Sequence, residues 1–201
     1  MGNLLSLTAL QHKERDSVSL DERDNDELML LARGGMNEAF DELVKRHQQI
    51  VSRVGIKYLG NVSLARDVTQ NSFVELYRFL PKYRPCGKFV SFLNRIVINQ
   101  CRMVVRSRVY ERKAILEFAG QPSSGSTMPE EQLLARERRR DVERALKRLS
   151  PKLREVLILR FTGELSYKEI AETLGLRLGT VKSRIFSGLK NLNQLLRDGD
   201  R

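Results

Sequence analysis

Apolar residues recur at helical spacing along most of the chain. Leu28, Leu31 and Ala32 begin one run, closed by Gly34-Gly35. Ala39, Phe40, Leu43, Val44, His47, Ile50, Val51, Val54 and Tyr58 keep an i, i+3, i+4 rhythm up to Gly60. A third helix is expected from about Ser63 to Leu80, ended by Pro81 and Pro85. A fourth runs from about Phe89 to Arg112, apolar at first and basic later. Residues 119–130, AGQPSSGSTMPE, break the rhythm with Gly, Pro and Ser and read as a flexible linker. Beyond it a charged helix over 131–148 carries Leu133, Leu134, Val142, Ala145, Leu146 and Leu149 on its apolar side. Ser150-Pro151 marks the cap and first turn of the next, which runs through Phe161. No strand-like alternation survives. The pattern predicts an all-α chain of two small helical domains joined by a flexible linker: a tail at 1–24, a domain at 25–113, the linker at 114–130 and a second domain at 131–201.

The last two helices are split at Gly175 and Gly179. Ser166-Tyr167-Lys168-Glu169 reads as a capping box, Gly175 as a left-handed turn, and Thr180 as the cap of the final helix. At 100° per residue, Val181, Ile185, Leu189, Leu192, Leu195 and Leu196 form one apolar stripe. Lys182, Phe186 and Lys190 fall on another face, beside Ser183 and Ser187. Core packing explains the stripe and leaves an aromatic among cations and hydroxyls unexplained. A short helix, a glycine turn and a longer helix make a helix-turn-helix, whose second helix enters the major groove. Lys182 can then reach guanine acceptors or a phosphate, and Phe186 a thymine methyl. Ser183 and Ser187 allow close backbone approach, while Arg177, Arg184 and Lys190 suit phosphates. The alternative is that Phe186 packs on a neighbouring helix.

Charge changes the picture next. The formal net charge is +11, and it is not spread evenly. Residues 82–113 carry nine Lys/Arg against one acid, and residues 131–201 carry seventeen against ten. Residues 1–35 and 114–130 are net acidic. Two basic blocks separated by an acidic gap imply two contacts with a polyanion. Cys86 and Cys101 lack metal-ligand spacing, and two thiols suit a reducing, cytoplasmic setting. No apolar run reaches the ~20 residues a membrane span needs, so no membrane insertion is expected. No nucleophile–base pair, metal cluster or phosphate loop is visible. The expectation is a non-enzyme without cofactor or metal.

The segment LSYKEIAETLGLRLGTVKSRIFSGLKNL, preceded by ALKRLSPKLREVLILRF, strongly resembles the minus-thirty-five-binding region of bacterial RNA polymerase sigma factors. Within them it is most similar to the small two-domain extracytoplasmic-function group. AFDELVKRHQQIVSRVGIKYLGNVSLARDVTQNSFVELYRFL resembles the paired helices of that family's first domain, and FVSFLNRIVINQCRMVVR its minus-ten-reading, strand-opening helix. The two segments stand in the family's order, over roughly 25–113 and 131–196.

The resemblance implies partners and residues. Core RNA polymerase would be held at its clamp and flap, with promoter DNA, and with an anti-sigma factor as inhibitor. Asp67 and Gln70 would give polar polymerase contacts, with Phe73 and Leu76 as apolar anchors, unless both are simply core. Minus-ten recognition would fall to Arg84, Cys86, Lys88, Phe92, Arg95, Asn99, Arg102 and Arg106, with Cys86 in a loop that receives a flipped base, unless Phe89 and Phe92 are core and only the charges touch DNA. Minus-thirty-five recognition would fall to Arg177, Thr180, Lys182, Ser183, Arg184, Phe186, Ser187 and Lys190. Three positions depart from the family pattern: Phe92 replaces a usual Trp, Asn71 a common acid, and Met103 a frequent Asp. The competing expectation is an operator-binding helix-turn-helix regulator with no sigma role.

Overall fold

A computed structural model describes residues 19–114 and 141–199. Its ordered elements are α1 (Asn25–Arg33), α2 (Asn37–Leu59), α3 (Val62–Phe79), a 3-10 turn (Leu80–Lys82), α4 (Phe89–Ala114), α5 (141–148), α6 (Pro151–Phe161), α7 (Tyr167–Leu174) and α8 (Leu178–Gly199). There is no strand among the described residues. Of the expected linker at 114–130 only Ala114 is described, as the last residue of α4; residues 115–130 and the first half of the charged helix, with Leu133 and Leu134, lie outside.

Local chemistry starts and stops these helices where the sequence places the signals. Asp24 caps α1 in a full capping box with Glu27. Asn61 caps α3 by accepting from the Leu64 amide at 2.9 Å. Ser166 and Glu169 form the expected capping box on α7, and Gly175 ends it in the left-handed region at φ 65. Two expected caps differ. Ser150 stands at the N-cap of α6, yet its side chain makes no cap hydrogen bond. Thr180 does not cap α8, because that helix starts two residues earlier at Leu178, and the first backbone bond runs from the Val181 amide to the Arg177 carbonyl. Gly179 accordingly lies inside the first turn.

In the N-terminal half α2 and α3 form a hairpin, with α1 against α2 and α4 across both. Leu28, Met29, Leu43, Val51, Val54, Val68, Leu76, Leu93, Val97 and Ile98 fill the core between them. In the C-terminal half α6 packs on α8, and α7 packs on both. Val156 to Leu159, Leu165, Ile170, Val181 and Ile185 are buried there. The stripe expected on α8 holds at Val181 and Ile185 and fails at Leu189, which is 42% exposed. Gly188 takes its place. A Cβ on Gly188 would lie 3.1–3.3 Å from the Leu157 side chain, so the missing side chain is what lets α6 lie this close. Val142, expected on the apolar side of α5, is exposed as well.

The halves touch. α4 packs against α7, and α2 against α6.

Candidate nucleic-acid interface

Three surfaces hold the residues singled out by sequence. The first is the outer face of α8. Val181 and Ile185 anchor the helix, so residues one position further on turn to solvent. Phe186 is 74% exposed, with Lys182, Ser183, Ser187 and Lys190 exposed around it. Its packing on a neighbouring helix is thereby excluded. Arg177 is exposed at the helix entrance, and Thr180 and Arg184 are half-buried at the flanks. The Ser183 hydroxyl donates to the Thr180 carbonyl at 3.0 Å. An exposed aromatic of this size, ringed by cations on the second helix of a helix-turn-helix, suits a base edge and two strands of phosphate.

The second surface is α4 with the loop before it. Arg84, Cys86, Lys88, Arg95, Asn99 and Arg106 are exposed or at the surface. Of the two readings of Phe92, the packed one holds rather than the DNA contact: it turns inward, half-buried, 4.7 Å from the Phe79 ring and 6.1 Å from the Tyr83 ring. Among the described cations, Lys88, Arg95 and Arg102 are already engaged, and by the C-terminal half. The Arg102 guanidinium grips the Glu155 carboxylate with two bonds of 2.8 and 2.7 Å. Glu155 is 4% exposed, and the Tyr58 hydroxyl also donates to it at 2.9 Å. Arg95 donates to the Thr173 carbonyl at 3.2 Å and to the Glu172 carbonyl, neutralising the negative end of α7. Lys88 pairs with the Glu172 carboxylate at 3.1 Å, and Lys57 with Glu143 at 2.7 Å. Asn99 accepts weakly from Arg102 at 3.4 Å.

The electrostatic consequences are local. Glu155 holds the Arg102 pKa above its ordinary value against the opposing effect of burial. Burial, and then Glu155, push Tyr58 well above the usual phenol range, so it stays a donor. Burial and the same carboxylate push the Cys101 thiol up to about 12, which leaves it unreactive. None of these partners could be read from the sequence, since Tyr58 and Arg102 stand 97 and 53 residues from Glu155.

The third surface is a groove of about 1120 Å³ between α2 and α3, lined by Phe40, Val44, Gln70, Phe73, Val74 and Tyr77 among others. Lys45, Arg53, Arg66 and Arg78 also border it. Gln70 and Phe73 thus reach the face expected for polymerase, Phe73 only by an edge since it is 7% exposed. Asp67 is exposed on α3. Leu76 is a correction. It is fully buried and belongs to the core, so it cannot anchor a partner. Val74 and Tyr77, both exposed, offer the apolar surface instead. The signal for them was present: Tyr77 stands seven residues from Gln70, two helical turns along one face.

The described residues thus present a bare outer face on the second helix of a helix-turn-helix, a second helix bearing cations, and an apolar groove. Two family models match it: sigma-70 region 2 over residues 43–109 and sigma-70 region 4 over residues 139–192. The "ECF RNA polymerase sigma-E factor" of Salmonella typhimurium is 33% identical over 160 residues, covering 76% of this chain and 83% of that protein. "ECF RNA polymerase sigma factor SigE" of Mycolicibacterium smegmatis is 35% identical over 79% of this chain, which spans 62% of that relative's length. Among solved structures, CnrH in complex with the cytosolic domain of CnrY superposes with a TM-score of 0.69 at 27% identity, over 89% of this chain and 100% of that one. The chain belongs to the extracytoplasmic-function RNA polymerase sigma factors.

Proposed function

We propose that this sigma factor docks on core RNA polymerase through the α2–α3 groove, reads the minus-thirty-five element with α8, and reads and opens the minus-ten element with α4 and the loop at 84–88. The observation that carries the reading is the split on α8: Val181 and Ile185 hold the helix while Lys182, Phe186 and Lys190 stand free for a groove. Two modest DNA contacts joined through polymerase act bivalently, so neither domain needs high affinity alone. Strand opening costs on the order of a few kcal/mol per unstacked base, which the cations of α4 and the loop offset once the strand is bound.

The contacts between the halves add a condition. Arg102, Arg95 and Lys88 cannot hold Glu155, the end of α7 and Glu172 while holding DNA. Promoter loading on this reading requires α7 to leave α4. Polymerase, by separating its two binding faces, supplies the pull. An anti-sigma factor acts in the opposite sense by covering the groove, whose apolar floor and cationic rim fit an amphipathic acidic helix.

Run-off transcription tests the proposal. Core polymerase plus this protein is expected to start RNA at defined sites within a pool of templates with both promoter elements randomised, with no other sigma factor present. If the protein binds duplex DNA on its own and never supports initiation, the operator-binding reading stands instead.

A further inference from the structure

The loop at 84–88 is exposed from end to end, yet its backbone is not left to water. One Asp26 oxygen accepts from both the Cys86 and Gly87 amides, each at 2.7 Å. The other accepts from the Tyr83 hydroxyl at 2.5 Å. Two turns further along α1, on the same face, Arg33 donates to the Tyr83 carbonyl at 3.0 Å. The Tyr83 side chain is 3% exposed and its ring lies against Phe92. Gly87 takes φ +67, a left-handed turn, and brings its amide beside that of Cys86. One helix therefore grips the loop at its root and at its crest.

Successive amides converging in such a turn make a concavity that takes an anion, phosphate being a common guest. Here the guest is the protein's own carboxylate. Its position is fixed in turn, since Asp26 sits in the first turn of α1 directly beside the Asp24–Glu27 capping box. The occupied concavity leaves DNA only the outer surface of the loop: the side chains of Arg84, Cys86 and Lys88.

We infer that Asp26 is a positioning residue, on a helix outside the DNA-reading elements, that shapes the 84–88 loop and thereby sets which base the loop accepts at the minus-ten element. The inference rests on the function proposed above and names what gives that site its choice of base. Without the carboxylate, the loop loses three hydrogen bonds and gains an empty anion cradle. It should then bind backbone more freely and bases less selectively.

The test uses the full chain with core polymerase and a template pool randomised in both elements, sequencing the transcripts that start. Asp26→Ala is expected to flatten the preference at one minus-ten position by on the order of tenfold, the scale of a single mismatched base pair. Preferences at the minus-thirty-five element should hold, and initiation at poor minus-ten sequences should rise. Asp26→Asn should restore most of the preference, because its oxygen can still accept from both amides and the Tyr83 hydroxyl can accept from its amino group. If Asp26→Ala fails to fold, Tyr83→Phe removes one of the three bonds and is expected to relax the same position by a smaller factor. A uniform fall at every promoter with base ranking unchanged, in either variant, overturns the inference. Should the unmodified protein initiate nowhere, the proposed function fails instead.

Discussion

The two helices proposed to face DNA stand in opposite states. α8 keeps its cations and Phe186 bare, with no carboxylate drawn in to meet Lys182 or Lys190 among the described contacts. On α4, Arg95 and Arg102, with Lys88 just before them, are engaged by the other half of the molecule, where on the proposed reading Glu155, Glu172 and the end of α7 occupy the places phosphates would take. The difference follows from packing. α8 is held from behind by Val181, Ile185 and Gly188, so its outer face carries no structural duty. α4 is long and is covered on one side by α7, so on the proposed reading the same arginines serve structure and recognition in turn. On the proposed reading, one helix is ready for DNA and the other must be released to it.

Removing the bare face should have the largest effect. Lys182→Ala with Phe186→Ala is expected to abolish discrimination at the minus-thirty-five element, since each good base contact carries about 1–3 kcal/mol. The thermal melting curve should stay unchanged, because neither side chain is buried. Unchanged promoter choice in run-off assays would mean that α8 reads DNA with other residues.

The covered face is probed next. Glu155→Gln keeps shape but removes the charge facing Arg102, and is expected to lower stability to urea by about 1–3 kcal/mol. The partial exposure of Arg102 lets water take part of the loss. A urea midpoint equal to the parent's would show that the ion pair does not hold the halves together. Gly188→Val tests the support behind α8. Its Cβ would press into Leu157, costing about 1–3 kcal/mol by overpacking. Here the minus-thirty-five preference should survive in the fraction that remains folded.

The smallest effect concerns pH. Burial, and then the neighbouring Arg46 charge, hold the His47 pKa below its ordinary 6.5. The ring packs on Phe89, with Nε2 3.0 Å from the Asn25 side-chain oxygen. A depressed folded value means the neutral form is favoured in the fold. The associated stability is fully present above 6.5 and declines as pH falls through the lower folded value. His47→Gln should flatten that part of the melting-temperature profile, and a profile of unchanged slope would assign the effect to another group. α8 carries no histidine, so its DNA affinity should not follow this curve.

Much of this architecture is legible in the chain because its causes are local. Ser166 with Glu169, Gly175, and the offset between Ile185 and Phe186 are each decided within a turn or two of helix. The contacts between the halves are not local. Glu155 sits in the apolar-rich stretch EVLIL with nothing nearby to mark it as the acceptor for Tyr58 and Arg102. Leu76 and Tyr77 are adjacent apolar residues on one helix, and only the packed hairpin shows that the first is core and the second exposed. Thr180 and Leu189 misled for related reasons. A helix that begins early makes an interior residue of an expected cap, and a glycine that admits a neighbouring helix moves the buried stripe by one position.

The contrast between the two helices is tested most directly by titrating the unmodified protein and Glu155→Ala with two probes. One is a single-stranded minus-ten oligonucleotide, the other a minus-thirty-five duplex. Releasing Arg102 should tighten the single strand by about tenfold, the scale of one freed charge-assisted contact, and leave the duplex affinity where it was. Equal single-strand affinity in both proteins would contradict the claim that the C-terminal half occupies the face α4 needs.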